Sequence, residues 1–253
     1  MSQLTAVVLC AGIGSRLGDL TKDKPKALQE VNGKPIVQYD LAWMRTLKAD
    51  RIIVVGGYRI DQLREAVHTY APEALVVENP AYATTQRMSS LLCAKDHIIG
   101  DLIAFDGDYI YSTPVAEQVL ARTYDNVAVH SATGKSPYTE QDVIVTIDEN
   151  RHLKDIYKTK GTVPLEGAHQ EYFNSLLYCP IQHLAEYWQT AEDVIAHSET
   201  GLVHLEDAIL KFAQKNPVDV VSFGDPTWME IDNPEEFKNA EAFIEKYGDI
   251  VPG

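Results

Sequence analysis

Basic residues are scarce in this chain: 22 lysines and arginines stand against 37 aspartates and glutamates, a formal net charge of -15. Nucleic-acid binders draw most of their affinity from clustered Lys and Arg, so a nucleic-acid partner is not expected. Cysteine is rarer still. Cys10, Cys93 and Cys179 are odd in number, far apart and without CxxC spacing, which argues against a disulfide framework or a zinc site. No stretch approaches the roughly 18 to 20 apolar residues of a membrane helix. The N-terminal Met1-Ser2-Gln3-Leu4-Thr5 lacks the basic-then-apolar layout of a secretory signal, so a cytoplasmic protein with no membrane partner is expected. The eight histidines show no HxxxH or similar spacing and are assigned neither metal nor catalytic duty. Internal repeats, low-complexity tracts and Ser/Gly linkers are also lacking, so residues 1–253 read as one domain.

What the chain does have is a succession of short apolar runs suited to buried strands. They lie at Thr5–Cys10, Arg51–Gly56, Ala74–Glu78, Asp101–Phe105, Asn126–Ser131, Asp142–Asp148, Tyr172–Cys179, Val218–Phe223 and Met229–Ile231. Helical spacing separates the early ones: Val37, Leu41, Met44 and Leu47 after Pro35, then Ile60, Leu63 and Val67. Alternation of strand and helix through about Phe105 predicts an α/β fold, Rossmann-like, with a mixed, mostly parallel sheet covered by helices on both faces. Beyond Asp108 the order loosens into several strands, with Asp148-Glu149-Asn150 as a hairpin turn, and a small substrate lobe is expected there. Asn233-Pro234 caps a final helix that buries Phe237, Ala240 and Ile244.

The first strand runs into Ala11-Gly12-Ile13-Gly14-Ser15-Arg16-Leu17, followed by Lys24-Pro25-Lys26-Ala27-Leu28. Glycines after a strand let backbone N–H groups approach a phosphate. A Walker loop fails, because no Gly-Lys-Ser/Thr follows Gly12. A dinucleotide-binding turn fits poorly: Leu17 stands where its third glycine belongs, Pro25 cuts the helix short, and the next strand ends in Gly56-Gly57 instead of an acid. The third reading has Arg16 and Lys26 gripping a triphosphate from two sides. Leu9 to Leu17 followed by Pro25-Lys26-Ala27-Leu28 resembles the L-A-A-G-x-G-S-R-L … P-K-x-L motif of the sugar-phosphate nucleotidyltransferase superfamily, departing only at Cys10. The resemblance implies a nucleotide site at Leu9, Ala11, Gly12, Gly14, Ser15, Arg16 and Lys26.

Phe105-Asp106-Gly107-Asp108 places two acids at the end of an apolar strand, within reach of one cation. In Trp228-Met229-Glu230-Ile231-Asp232, strand alternation would put Glu230 and Asp232 on one face. The resemblance implies a Mg²⁺ site on Asp108 and Asp232, with Glu230 beside them and Asp106 on the nucleotide. Asn79 to Ala94, with Gln170-Glu171-Tyr172, resembles the phosphocholine and aminoalkylphosphonate cytidylyltransferase branch, except that Gln86-Arg87 stands where the branch usually has Asn-Met. Gln86 and Ser90 would then read a base edge, although a polar helix cap explains them equally well.

The branch also implies a cation near the acceptor phosphate, for which Lys158 or Lys160 is favoured over Lys154, all three acting as a solvated face otherwise. A cationic acceptor head would want aromatic faces or a carboxylate, and Tyr109, Tyr111, Tyr138, Glu171 and Tyr172 lie in that lobe. The activity implied is transfer of CMP from CTP to a small phosphorylated or phosphonate acceptor, with Arg16, Lys26, Lys158 and Lys160 as the catalytic cations. A sugar-1-phosphate uridylyl- or thymidylyltransferase and a nucleotide-sugar glycosyltransferase are the alternatives. The acceptor's identity and a homo-oligomeric state stay open.

Overall fold

The computed structural model describes residues 3–133, 142–158, 169–224 and 228–247. In chain order the strands are β1 (Leu4–Cys10), β2 (Glu30–Val31), β3 (Lys34–Pro35), β4 (Arg51–Gly56), β5 (Leu75–Glu78), β6 (Asp101–Asp106), β7 (Tyr109–Tyr111), β8 (Val127–Ala132), β9 (Val143–Ile147), β10 (Leu153–Lys158), β11 (Gln170–Cys179), β12 (Val218–Ser222) and β13 (Trp228–Glu230). The helices are α1 (Ile36–Thr46), α2 (Ile60–Tyr70), α3 (Arg87–Cys93), α4 (Thr113–Leu120), α5 (Ile181–Ala196), α6 (Leu205–Ala213) and α7 (Pro234–Tyr247).

The fold is α/β, and its sheet is mixed, as the alternation predicts. Strand order runs β10-β9-β11-β6-β1-β4-β5, and the stretch from β6 to β5 is parallel throughout. Strand β11 joins the two halves. Its C-terminal end pairs with β6 and its N-terminal end with β9, while β8 lies along its other edge and carries β12 beyond. Both faces are covered. Val7 and Leu9 of β1 point into a core closed by residues of α3, α5 and α6, whereas Ala6 and Val8 point into one closed by α1, α2 and α4. In the second core Trp43 stacks on Tyr111 at 4.6 Å and meets Phe105 edge-on at 5.1 Å. Such pairs contribute about 0.5–1.5 kcal/mol each beyond area burial.

The local signals behave as their chemistry requires. Asp148 closes the β9–β10 hairpin by accepting bonds from the Asn150 and His152 amides, each 2.8 Å. Asn233 Oδ1 caps α7 through the Glu235 and Glu236 amides at 3.0 Å. The several strands expected after Asp108 are there as β8 to β12, and α4, α5 and α6, which the apolar runs do not mark, lie in the same stretch. Their stripes are plain once seen: Leu184, Tyr187, Trp188 and Ala191 in α5, and Leu205, Ala208, Ile209 and Phe212 in α6.

His130 on β8 is fully buried, its ring nitrogens bonded to the Tyr124 hydroxyl at 2.9 Å and the Leu176 carbonyl at 3.1 Å. Burial pushes its pKa down from 6.5 to about 3. Between those values the unfolded chain binds a proton that the folded one refuses, so stability falls as pH drops from 6.5 towards 3. From pH 6 to 4 this one residue should remove about 2–3 kcal/mol. Urea unfolding across that range should show a flatter slope for His130→Gln, and identical slopes would remove the assignment.

Candidate active site

The carboxyl ends of β1 and β6 lie side by side, with Leu9 opposite Asp106 in the register. Two glycines make this approach possible. A Cβ on Gly107 would sit 2.3 Å from Cys10 Sγ, and the Gly107 amide instead donates to the Leu9 carbonyl at 3.0 Å. Gly14 has φ +71°, and a Cβ there would meet Lys26 Cβ at 2.9 Å. The loop after β1 therefore folds back against Lys26, and its carbonyl at Gly14 accepts bonds from the Leu17 amide and the Thr21 hydroxyl at 3.0 and 2.9 Å.

The tail of the chain reaches the same place because β13 pairs antiparallel with β7, and the Ile231 amide donates to the Asp108 carbonyl at 2.8 Å. Asp108, Glu230 and Asp232 then present carboxylate oxygens within 4.8 Å of one another. Lys26 Nζ bridges two of them, at 2.8 Å from Asp108 and 2.6 Å from Asp232, and Arg16 Nη1 lies 2.6 Å from the other Asp232 oxygen. Tyr172 donates its hydroxyl to Glu230 at 2.6 Å. Burial works against the Lys26 charge, yet Asp108 and Asp232 outweigh it and hold its pKa above the ordinary lysine value. Burial likewise works against the Asp232 charge, and Lys26 and Arg16 overcome it, so that acid sits below its usual range. Asp108 is pushed up instead, first by burial and then by Asp106 and Asp232, with Lys26 opposing. Three hard oxygen donors in this arrangement can hold a divalent cation.

A second charged cluster lines the same cleft. Arg87, the first residue of α3, pairs with Asp106 through one guanidinium nitrogen and with Glu206 of α6 through the other, Nη2 lying 2.5 Å from Glu206 Oε2. Ser175 donates to Asp106 at 2.5 Å from a bend in β11 where its own φ is +62°. His204, the N-cap of α6, lies 3.4 Å from Arg87, and burial, aided by the Arg87 charge, lowers its pKa. Burial opposes the charge on Glu206 as well, but Arg87 keeps that carboxyl below its ordinary range.

The MobA-like NTP transferase domain matches residues 6–179. The chain belongs to that family. CTP:phosphoglutamine cytidylyltransferase of Campylobacter jejuni is 32% identical over 46% of this chain and 48% of its own length. Choline-phosphate cytidylyltransferase of Streptococcus pneumoniae is 26% identical over 60% and 69%. The match thus spans about half of the first relative and two thirds of the second. Among solved structures, the inositol-1-phosphate CTP transferase from T. maritima superposes with a TM-score of 0.81 over 100% of this chain and 99% of that one, at 19% identity, a likeness of fold.

Within this NTP transferase, Leu9, Gly12, Gly14, Arg16, Lys26, Gln86, Asp106, Asp108, Tyr109, Lys158, Tyr172, Glu230 and Asp232 all line one cleft. Others are placed elsewhere. Ser15 stays exposed outside the lining, and Ala11 is buried behind it, its carbonyl accepting from the Tyr58 amide at 3.1 Å. Ser90 is buried and accepts from Asn79 Nδ2 at 2.9 Å. Glu171 does not face the cleft: strand alternation turns it away from Tyr172, onto Arg151 at 3.0 Å and the Ser131 hydroxyl at 2.5 Å. Lys154 lies apart, beside Asp148 and Glu149. Lys160 and Tyr138 fall outside the described residues. In the sequence Arg87 stands out only as a departure from the branch pattern, and Ser175, His204 and Glu206 belong to no motif. Among the described residues no helix is long and apolar enough to cross a membrane.

Proposed function

We propose that the protein transfers the CMP moiety of CTP to a small phosphorylated or phosphonate acceptor and releases pyrophosphate. The observation that carries this is the convergence of Arg16 and Lys26 on Asp108 and Asp232, cations from one end of the chain meeting acids from its middle and tail. Cytidylyl transfer is the activity named for both curated relatives. The loop from Gly12 to Arg16, with Lys26, seats the triphosphate. Lys158 holds the acceptor phosphate, and the acceptor itself need not lose a proton, because its attacking oxygen is already anionic. That oxygen forms a bond to the α-phosphorus, the bridging bond to the β-phosphate breaks, and pyrophosphate leaves with the electron pair. Positioning and charge neutralisation carry such a step. Asp108, Glu230 and Asp232 fit Mg²⁺, which uses few carboxylates and fills its shell with water and phosphate oxygens. When bound, that ion neutralises charge developing on the phosphates. CTP and this acceptor are the partners proposed, in the cytoplasm where nucleotides are made available.

A side-by-side pyrophosphate-release assay with CTP, UTP, dTTP and ATP over a panel of phosphorylated acceptors tests the reading. CTP should exceed each rival by at least about tenfold in kcat/KM, the discrimination that one or two base-edge hydrogen bonds provide. Equal use of UTP would overturn the choice of base.

A further inference from the structure

The function proposed above puts Lys158 on the acceptor phosphate and gives its neighbour His204 no role. His204 lines the cleft as the N-cap of α6, the helix packed against β10, which Lys158 ends. The residue is half-buried, and its amide donates to Asp207 Oδ2 at 2.7 Å. The charges that act on its ring include those of Arg87, Glu206, Lys158 and Asp207.

The surroundings of the ring decide where its proton sits. Nδ1 lies 3.4 Å from Arg87 Nη2. A guanidinium has N–H groups and no lone pair, so a proton on Nδ1 would set N–H against N–H, and Nδ1 meets Arg87 as an acceptor. Burial, and then the Arg87 charge, lower the pKa of the ring from its ordinary value, which keeps it neutral at neutral pH. A neutral imidazole carries one proton, and with Nδ1 bare that proton stands on Nε2. Nε2 lies on the edge of the ring turned away from Arg87.

Net charge does little to hold an anion in this part of the cleft. Arg87 is spent on Asp106 and Glu206, one cation against two acids, and Lys158 offsets the surplus acid. A phosphate oxygen arriving there gains most from an oriented donor that has no acid of its own, and the Nε2–H is such a donor. Arg16 and Lys26, which seat the triphosphate, belong to the other group of acids, Asp108 and Asp232.

We infer that His204 is a substrate-binding residue whose Nε2–H donates to an anionic oxygen of the acceptor's phosphate or phosphonate, beside Lys158. This rests on the reading of the protein as a transferase to a phosphorylated acceptor. A residue that served only as a helix cap would tolerate different replacements. Asparagine is among the best N-caps and puts its oxygen near the place of Nδ1, but it offers no donor at the place of Nε2. Glutamine is not a preferred cap, yet its amide nitrogen reaches the place of Nε2. Binding therefore favours Gln over Asn, and capping favours Asn over Gln.

The test is an NMR titration of protein containing isotopically labelled histidine, saturated with Mg²⁺ and a non-hydrolysable CTP analogue, with methylphosphonate as the probe. His204→Asn identifies the His204 signal by its loss. The wild-type ring should be the Nε2–H tautomer at neutral pH, and methylphosphonate should move that proton. His204→Asn should weaken the probe at least about tenfold, the worth of one hydrogen bond to a charged group, with His204→Gln within about threefold of wild type. The CTP analogue, titrated first, should bind wild type and both variants within about threefold of one another. A proton found on Nδ1, an Nε2 proton unmoved by the probe, no binding of the probe by wild type, or His204→Gln weakened as much as His204→Asn overturns the inference. So does a loss that falls on the CTP analogue, which gives the donor to a nucleotide phosphate instead. Should His204→Asn fail to fold, His204→Gln identifies the signal and the wild-type titration decides. Pyrophosphate release is measured separately over the acceptor panel: a probe that binds through Nε2 while no acceptor is cytidylylated refutes the transferase reading and leaves the anion contact standing.

Discussion

Asp108→Asn is expected to lower pyrophosphate release by on the order of a thousandfold while leaving the melting temperature at or above the wild-type value. The two effects separate because this acid is held in a costly place. Asp108, Glu230 and Asp232 crowd within 4.8 Å, against the cations Lys26 and Arg16. Burial, Asp106 and Asp232 push the Asp108 carboxyl above the ordinary value of 3.8, so at neutral pH its charge favours the unfolded chain. The amide removes that charge, keeps the shape, and leaves Lys26 paired with Asp232 at 2.6 Å. Activity should fall because a neutral side chain cannot balance a cation on the triphosphate. Steady-state assays and thermal melts on the same preparation check both halves, and a variant working near the wild-type rate would remove Asp108 from the site.

Lys26→Met should lose both activity and stability. Removing the ammonium leaves Asp108 and Asp232 facing each other with only Arg16 to help, and breaking a buried ion pair from one side costs about 3–5 kcal/mol. For a chain of this size that corresponds to a drop of roughly 10 °C in melting temperature. The pH dependence has a definite sign. Asp232 is depressed below 3.8 in the folded protein, so its pairing stabilises above that value and is lost as pH falls through the lower folded one. The stability gap between wild type and Lys26→Met should therefore narrow in strongly acidic solution. Adding Asp108→Asn to Lys26→Met should recover most of the stability and none of the turnover, a coupling that a double-mutant cycle reads directly.

The parts of the site legible in the sequence are those whose chemistry is written in neighbouring residues. A glycine loop after an apolar strand, Pro25-Lys26, and Asp106-Gly107-Asp108 at a strand end each state their business within a few positions. Asp232 was legible because the alternating segment around it matched a family pattern. Arg87 and Glu206 were not. They are 119 positions apart, and nothing in either segment shows that α3 and α6 will lie side by side. Glu171 shows a different failure, since a carboxylate next to Tyr172 on a strand must face the opposite side, and the strand period alone would have excluded one of the two. Helices α5 and α6 carry legible stripes too, spaced by three and four with polar residues between, so they form no continuous apolar run.

The contact of Lys26 and Arg16 with the acids means that the free protein carries its own counter-ions. A nucleotide that recruits those two side chains to its phosphates uncovers negative charge, which raises the affinity for a divalent ion, and an ion that settles on the acids releases the same side chains for phosphate. The two ligands should enhance each other's binding by the same factor, whichever arrives first.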